Sequence, residues 1–239
     1  MQTIEEDFEH VAAALQGALQ RRGNAPGEVR QLRRLTGGAT KQTWAFDWCS
    51  GAAPQPLTLQ RLPEPPPAAA GAPKLRAEEE PALMAAACAG GVPAPMVRLV
   101  LQPRDGLGCG YVTGFVPGET LGRRIVREDA FAQARPRMAR QCGEILASIH
   151  RLPTGSLPFL QQLSPADELR VYGQALAGTG VRHPALAYAL RWIEENLPRQ
   201  WAPALVHADF RTGNLIVGAD GIRCVLDWEI ARIGDAMQD

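Results

Sequence analysis

The stretch LVHADFRTGNLIVGADGIRCVLDWE, residues 205–229, places a histidine, an arginine, an asparagine and several aspartates among apolar, strand-like residues. Polar groups gather in an apolar region only where they have partners or a ligand, because burying an unpartnered polar group costs free energy. Two apolar runs within the stretch, residues 215–217 and 222–226, have the length and composition of strands. The Asp220-Gly221 pair that joins them predicts a two-residue β-hairpin.

This hairpin predicts which polar residues meet. If Asp220 and Gly221 form the loop, Asn214 lies opposite Asp227. Facing residues of an antiparallel pair have Cα atoms about 4.5–5.5 Å apart. An amide oxygen and a carboxylate would then lie together at the open end of the hairpin. Mg²⁺ prefers such oxygen ligands, so the pattern predicts a magnesium site.

The loop that enters the hairpin carries two further candidate site residues. Asp209 is placed five residues before Asn214 and can accept a proton from a hydroxyl nucleophile or orient that hydroxyl. Arg211 follows two residues later and can bring positive charge to phosphate oxygens. We expect His207 to brace the loop.

Bulk composition excludes several classes of protein. Lys plus Arg and Asp plus Glu number 25 each, so the formal net charge is zero. This balance argues against a nucleic-acid or anionic-membrane partner. The five cysteines form no C-x-x-C pair, which argues against structural zinc and disulfides. The acidic N-terminus lacks a signal sequence, and no run approaches the roughly 18 apolar residues of a membrane span. We therefore expect a cytoplasmic protein.

Hydrophobic periodicity and breaker residues predict a strand-rich half followed by a helical half. The predicted helices cover residues 4–19, 74–90 and 138–149, one after the Ser164 cap and one beginning at Pro184; the predicted strands cover residues 29–36, 42–48, 57–61, 96–101 and 109–116. We expect His150 to cap the carbonyl groups at the end of its helix. The break near residue 116 predicts an α+β protein with domains at residues 1–116 and 117–239.

The motif H-x-D-x-x-x-x-N followed by a later Asp resembles the catalytic loop and metal site of protein kinases. Here the second motif reads Asp227-Trp228-Glu229 rather than D-F-G, which resembles the aminoglycoside phosphotransferase and choline kinase-like families. LTGGATKQTWAF, GVPAP, FVPGETL, VHADFRTGN and VLDWEIARIGDAMQD strengthen the resemblance and occur in the same order. The resemblance extends from about Leu35 to the end and includes the kinase part of some acyl-CoA dehydrogenase fusion proteins.

This resemblance implies a protein kinase-like fold of two lobes, with a small antiparallel sheet in the N-terminal lobe and a mainly helical C-terminal lobe. It implies transfer of the γ-phosphoryl group of ATP, with Mg²⁺, to a hydroxyl of a small molecule. Asp209 and Arg211 are then catalytic residues, and Asn214 and Asp227 are Mg²⁺ ligands. Since family members continue with further helices beyond Asp239, we expect the C-terminal lobe to be truncated.

The implied nucleotide-binding residues fall in four places. A glycine turn covers the phosphates, the third strand and a following helix supply a basic residue and its glutamate, and a hinge holds the adenine. The turn is formed by Gly37, Gly38 and Thr40. The basic position is Gln60 or Arg61, and its glutamate is Glu80. The hinge residues are Phe115 and Val116. Hinge recognition through backbone atoms leaves both ATP and GTP open.

Positions 60 and 208 depart from the family pattern, and the partner glutamate has two candidates. Gln60 occupies the basic position of the third strand, while Arg61 lies on the opposite face unless a bulge rotates it inward. Glu80 is the preferred partner glutamate and Glu79 the second choice. Ala208 stands where these families often have Gly.

Two other functions remain open at this point. A non-catalytic nucleotide-binding module, a pseudokinase, would explain Gln60. A metallohydrolase would use His207, Asp209 and Asp227 as metal ligands. If the chain is a kinase, the basic segments RRIVRED and ARPRMAR favour a non-cationic or anionic acceptor over a polycationic one. No feature of the sequence indicates an oligomeric state.

Overall fold

The computed structural model describes residues 2–23, 26–35, 41–51, 53–62 and 74–239, with side chains from residue 8 onward. The chain divides into two compact units. The first unit comprises Met1–Pro67 and Pro95–Pro117, and the second comprises Ala68–Ala94 and Gly118–Asp239.

The first unit combines one long helix with an antiparallel sheet. The helix is α1 (Gln2–Gly23), and the strands are β1 (Glu28–Leu35), β2 (Gln42–Cys49), β3 (Gln55–Leu62), β4 (Val97–Val100) and β5 (Cys109–Gly114). The strands lie in the order β1-β2-β3-β5-β4, so β1 and β4 form the edges. All five predicted strands are confirmed, with ends that move by up to two residues.

Helix α1 packs one apolar face onto this sheet. Val11 and Leu15, one helical turn apart, are fully buried together with Trp44 of β2 and Leu59 of β3. Phe8 meets the Trp44 ring edge-on at 4.7 Å. Burying each such side chain contributes about 1.5–3 kcal/mol, which fixes the helix against the strands.

The second unit is mainly helical, with two small antiparallel ribbons. Its helices are α2 (Glu79–Ala89), α3 (Gly122–Arg127), α4 (Arg135–His150), α5 (Pro165–Gly178) and α6 (Pro184–Glu195). One ribbon pairs β6 (Pro203–Val206) with β9 (Arg232–Asp235), and the other pairs β7 (Leu215–Gly218) with β8 (Gly221–Val225). In the described parts of both units, no helix combines the length and the apolar character needed to cross a bilayer.

Proline and capping residues determine where the helices of the second unit begin. The predicted helix at residues 74–90 is wrong in its first five residues, because α2 begins at Glu79. Pro81 lacks an N–H and is tolerated only in a first turn, so the helix cannot extend far before it. The predicted helix starts at the Ser164 cap and at Pro184 are confirmed, and the Ser164 hydroxyl accepts a hydrogen bond from the Asp167 amide at 3.1 Å.

The segment around α2 is connected to the C-terminal half of the chain. Its Leu75 N–H donates to the Glu229 carbonyl at 2.7 Å, and its Pro93 carbonyl accepts from the Val225 N–H at 2.7 Å. These bonds hold both ends of the segment and explain why residues 68–94 belong to the second unit. The domains predicted at residues 1–116 and 117–239 differ from the observed units in this segment, while the break after Pro117 lies one residue from the predicted one.

The β7–β8 hairpin forms, but its loop differs from the prediction. Gly218 pairs with Gly221, so Ala219 and Asp220 form the two-residue loop instead of Asp220 and Gly221. Gly221, with φ of 137°, continues into the strand.

The shifted loop and a bulge at Arg223 change the register of the whole hairpin. Leu215 pairs with Val225, and the Leu226 N–H donates to the Asn214 carbonyl at 2.8 Å. Asn214 therefore lies opposite Leu226. The predicted pairing of Asn214 with Asp227 is wrong by one residue.

Candidate active site

The loop after β6 is organised around the buried side chain of His207, which is fully excluded from solvent. Its Nε2–H donates to the Leu226 carbonyl at 2.9 Å, and its Nδ1 accepts from the Asp209 N–H at 3.3 Å. One ring nitrogen thus donates and the other accepts, which defines the neutral tautomer. Burial lowers the pKa of His207, in agreement with a neutral ring.

Aromatic neighbours fix the orientation of the His207 ring. Trp228 lies at 4.8 Å between ring centroids, and Phe210 meets the ring edge-on at 6.1 Å. The Trp228 indole N–H donates to the Val225 carbonyl at 3.1 Å, so this aromatic ring is itself held by β8. His207 connects the loop after β6 to the end of β8, which agrees with a bracing role.

Asp239 anchors the same loop and was not anticipated from the sequence. Its carboxylate is fully buried and accepts the His207 N–H at 2.9 Å and the Ala208 N–H at 2.7 Å. The His150 Nε2 lies 3.0 Å from the same carboxylate. His150 therefore contacts Asp239 with its ring, and the expectation that it caps its own helix is wrong. A separation of 32 residues between Asp239 and His207 left no local signal of this contact.

Ala208 has a left-handed backbone, with φ of 68°. This conformation costs an L-residue roughly 1–2 kcal/mol and favours glycine. The left-handed backbone is therefore a physical reason for the glycine that the resembled families often have at this position. The two hydrogen bonds to Asp239 hold the turn despite the side chain of Ala208.

Three of the predicted site residues form one hydrogen-bonded cluster. The Asn214 amide nitrogen donates to the Asp209 carbonyl at 2.9 Å and to the Asp209 carboxylate at 2.7 Å. The Arg211 Nε lies 3.1 and 3.2 Å from the two oxygens of the same carboxylate. The Asp209 side chain remains one-third exposed, so a third group can still reach it.

The residues predicted to bind a metal ion have suitable oxygen atoms. Because the Asn214 nitrogen donates to Asp209, its side-chain oxygen is fixed on the other side of the amide, and it has no hydrogen-bond donor among the described residues. Asp227 follows Leu226, the residue opposite Asn214, and its φ of 62° turns the chain away from the direction of β8. An amide oxygen and a carboxylate at adjoining positions fit the ligand chemistry of Mg²⁺.

The metallohydrolase ligand set does not fit this geometry. Both ring nitrogens of His207 are engaged with the protein, so the ring has no lone pair for a metal. Within the described ranges, no three His, Cys, Asp or Glu side chains are grouped so that they could hold an ion.

Gln60 and Arg61 lie on opposite faces of β3. Gln60 accepts a hydrogen bond from the Tyr111 hydroxyl at 2.5 Å. Arg61 is 5% exposed, shares its face with the buried Leu57 and Leu59, and donates to the Gln42 side chain at 3.0 Å. The pairing of β3 with both neighbours is continuous through these positions. The bulge that would have rotated Arg61 inward is therefore absent.

The two candidate glutamates of α2 differ in their surroundings. Glu79 is held by Arg76, whose amide and guanidinium donate to it at 2.8 and 2.7 Å. Glu80 is 2% exposed. The buried Glu80 agrees better with a site residue than the surface ion pair of Glu79 does.

The predicted hinge lies at the end of β5. The Phe115 N–H donates to the Pro56 carbonyl at 3.0 Å, while Val116 has no hydrogen-bond partner among the residues that the structure describes. Its backbone groups remain available to a ligand. Gly37, Gly38 and Thr40, the predicted phosphate-covering turn, lie outside the described residues.

Comparison with known proteins identifies the family of the chain. The model of the phosphotransferase enzyme family matches residues 31–239, well over half of the chain. The chain belongs to the phosphotransferase enzyme family. The predicted resemblance to aminoglycoside phosphotransferases and their relatives is thereby confirmed.

Mouse acyl-CoA dehydrogenase family member 10 is a sequence relative of this phosphotransferase family member. It is 41% identical over 58 residues, which are 23% of this chain and 5% of that protein. The chain thus spans a small part of that relative's length.

Solved structures confirm the fold. A protein from Ralstonia eutropha JMP134 assigned as an aminoglycoside phosphotransferase superimposes with a TM-score of 0.72 at 17% identity, over 94% of this chain and 66% of that one. Macrolide 2'-phosphotransferase MphH from Brachybacterium faecium gives 0.61 at 19% identity, over 95% and 74%. ADP-bound aminoglycoside phosphotransferase APH(2'')-Ib gives 0.59 at 16%, over 95% and 73%. This family member has the predicted protein kinase-like α+β fold.

Proposed function

We propose that this family member transfers the γ-phosphoryl group of ATP to a hydroxyl group of a small molecule, with Mg²⁺. The observation that carries the proposal is the double hydrogen bond from Asn214 to Asp209. It fixes a carboxylate that can act on a hydroxyl and leaves an amide oxygen for a cation. Family membership from residue 31 onward supports the same reaction type.

Asp209 is the residue that acts on the acceptor. Its carboxylate orients the hydroxyl and accepts the proton as the oxygen attacks phosphorus, a role worth about 10²–10⁴ in rate. The ion pair with Arg211 and the bond from Asn214 keep this carboxylate in one position. Asp209 thus lowers the entropy cost of aligning the acceptor.

Arg211 and the metal ligands act on the phosphate. Arg211 is anchored to Asp209 only through Nε, so its terminal nitrogens can donate to phosphate oxygens. Asn214 and Asp227 would hold Mg²⁺, which neutralises charge on the β- and γ-phosphates when bound. Phe115, Val116, Gln60, Glu80 and the turn at Gly37, Gly38 and Thr40 are proposed for the nucleotide, and Arg61 is no longer favoured for it.

The acceptor is proposed to be a small, non-cationic molecule. A Cβ placed on Gly122, the first residue of α3, would lie 3.4 Å from Thr212 of the catalytic loop. The exposed Arg123 and Arg127 follow on this short helix. Positive charge beside the catalytic loop repels a polycation such as an aminoglycoside and favours a neutral or anionic alcohol.

A pseudokinase is the second candidate, and Gln60 favours it. An amide at the basic position of β3 supplies no charge to the phosphates, and its oxygen is already occupied by the Tyr111 hydroxyl. Such a module would bind Mg·ATP without turnover.

The deciding experiment follows thermal stability with Mg·ATP and phosphoryl transfer to a panel of neutral, anionic and cationic alcohols. Specific ligand binding raises the melting temperature. We expect a Mg²⁺-dependent rise in the wild type that Asp227→Asn abolishes, and transfer that Asp209→Asn reduces by at least about 10²-fold. Asp220→Asn, in the exposed hairpin loop, is the matched control and should change neither. Binding with no transfer to any alcohol would establish the pseudokinase, and no binding would overturn both candidates.

A further inference from the structure

A cavity of about 380 Å³ lies in the first unit, beside the C-terminal end of α1 and along the edge strand β4. The turn at residues 103–105 completes its wall. None of the residues proposed for the nucleotide, the metal or the catalytic loop lines it. Its volume falls within the range of about 300–1,000 Å³ that is usual for small-ligand sites.

The wall of this cavity is strongly basic. Four arginines line it, Arg21 and Arg22 from α1, Arg98 from β4 and Arg104 from the turn, against the single carboxylate of Asp105. Four guanidinium groups against one carboxylate leave three positive charges around a small volume. Because the whole chain has a formal net charge of zero, this is a local concentration of charge.

Most of these guanidinium groups are available to a ligand. Arg22, Arg98 and Arg104 are exposed and make no hydrogen bond or ion pair with any residue that the structure describes. Like charges held close together repel one another, and an anion in the cavity would relieve that repulsion. Planar guanidinium groups bind phosphate oxygens in pairs of parallel hydrogen bonds.

Arg21 is held in place by buried contacts. Its Nη2 donates to the Asp105 carboxylate at 2.7 Å, and Asp105, 7% exposed, also accepts the Gln102 N–H at 2.8 Å. A Cβ at Gly17, one turn earlier in α1, would lie 3.1 Å from the Arg21 Nη1. A glycine inside a helix costs about 1 kcal/mol relative to alanine, and here it leaves room for the guanidinium.

The helix dipole does not explain why four arginines line this cavity. Arg21 and Arg22 lie in the last turn of α1, where positive charge is favourable beside the helix dipole. Arg98 and Arg104 come from a strand and a separate turn, so the dipole of α1 gives no reason for their place in the same wall.

We propose that this cavity binds a small organic phosphate with two or three negative charges, at a site separate from the phosphotransfer reaction. The arginines provide the phosphate contacts. Val97, the buried Leu99 and Ala18 provide an apolar wall for the carbon skeleton of the ligand. The ligand would act as an effector or a second bound metabolite, since no predicted catalytic group lines the cavity.

Isothermal titration calorimetry of the whole chain with ribose 5-phosphate, in EDTA and without nucleotide, tests the proposal. We expect saturable binding that weakens steeply with added salt. The double variant Arg98→Gln/Arg104→Gln should lower the affinity at least about tenfold, because it removes two of the guanidinium groups available to the phosphate. Arg30→Gln is the matched control. It removes an exposed arginine of the same unit that pairs with Glu28 and does not line the cavity. The affinity of this variant should equal that of the wild type.

The outcomes separate this site from the nucleotide site. Retained binding in the double variant, or no binding in the wild type, would overturn the proposal. Loss of binding in Asp227→Asn instead would place the ligand at the nucleotide site and also overturn it. Equal affinity for inorganic phosphate would show that the carbon skeleton adds nothing to binding, and it would overturn the proposal of an organic phosphate. Because EDTA and the absence of nucleotide exclude the kinase reaction, failure of the kinase proposal leaves this result unchanged.

Discussion

The Asp239 carboxylate accepts a hydrogen bond of 2.7 Å from the amide of Ala208, a residue whose backbone is left-handed. The second oxygen of the same carboxylate accepts the His207 amide at 2.9 Å. A buried charge thus satisfies two adjacent N–H groups in the turn that precedes Asp209. The shape of the catalytic loop depends on a side chain far along the chain.

Asp239→Asn should destabilise the protein by about 3 kcal/mol, because a neutral amide replaces a buried carboxylate. The carboxylate has two accepting oxygens, whereas the amide has one oxygen and an NH2 group that can only donate. Urea denaturation gives the free energy of unfolding. Asp235→Asn is the matched control, since the Asp235 carboxylate also accepts a backbone N–H, from Met237 at 3.1 Å, at a more exposed position. A change in Asp239→Asn no larger than in this control would show that Asp239 does not anchor the loop.

Ala208→Gly should stabilise the protein by about 1 kcal/mol, because glycine adopts the left-handed backbone without the steric cost of a Cβ. Because φ is 68°, this gain exceeds the destabilisation that glycine causes by raising the conformational entropy of the unfolded chain. Ala219→Gly in the exposed hairpin loop, where φ is not positive, should be neutral or destabilising. Chemical denaturation of both variants provides the test, and a lower stability for Ala208→Gly would contradict the strain.

Gln60→Lys should tighten Mg·ATP binding at the proposed nucleotide site about five- to tenfold, because a charged hydrogen bond to phosphate is stronger than a neutral one. Arg61→Gln should instead lower stability with unchanged nucleotide affinity, since Arg61 is buried on the opposite face of β3. Calorimetric titration of both variants decides the assignment. A loss of nucleotide affinity in Arg61→Gln would show that Arg61, and not residue 60, contacts the phosphates.

Local patterns in the sequence predicted the elements of the fold well. Helix α1 and the strands followed from apolar periodicity, and the start of α5 followed from the Ser164 cap. The start of α2 was predicted five residues too early, although Pro81, which lies in its first turn, is visible in the sequence. These features depend on neighbours in sequence, so they are visible without the structure.

Contacts that depend on register or on distant residues were not predictable in the same way. The Asp-Gly pair correctly indicated a two-residue hairpin, yet the bulge at Arg223 and the loop at Ala219 moved Asn214 opposite Leu226. Asp239 lies 32 residues from His207, and no spacing rule relates the two. Asp209, Arg211 and Asn214 were each predicted as site residues, and their hydrogen bonds to one another follow from their places on one short loop.

His207 should make the stability of the protein depend on pH. Burial lowers its pKa in the folded state below the ordinary value of 6.5, so the unfolded chain binds the proton more readily. Stability from this residue is therefore fully present above pH 6.5 and is lost as the pH falls toward the folded pKa, by up to about 1.4 kcal/mol per pH unit. Protonation of Nδ1 would also remove the hydrogen bond that it accepts from the Asp209 N–H. The loss of stability is therefore coupled to the catalytic loop.

Urea denaturation between pH 8 and pH 5, as rough limits of the His range, measures this dependence in the wild type and in His207→Gln. The variant should be less stable at high pH but should lose less stability on acidification. His183→Gln, at the exposed start of α6, is the matched control and should keep the wild-type slope. An unchanged slope in His207→Gln would mean that other groups, and not the buried imidazole, make the folded catalytic loop sensitive to acid.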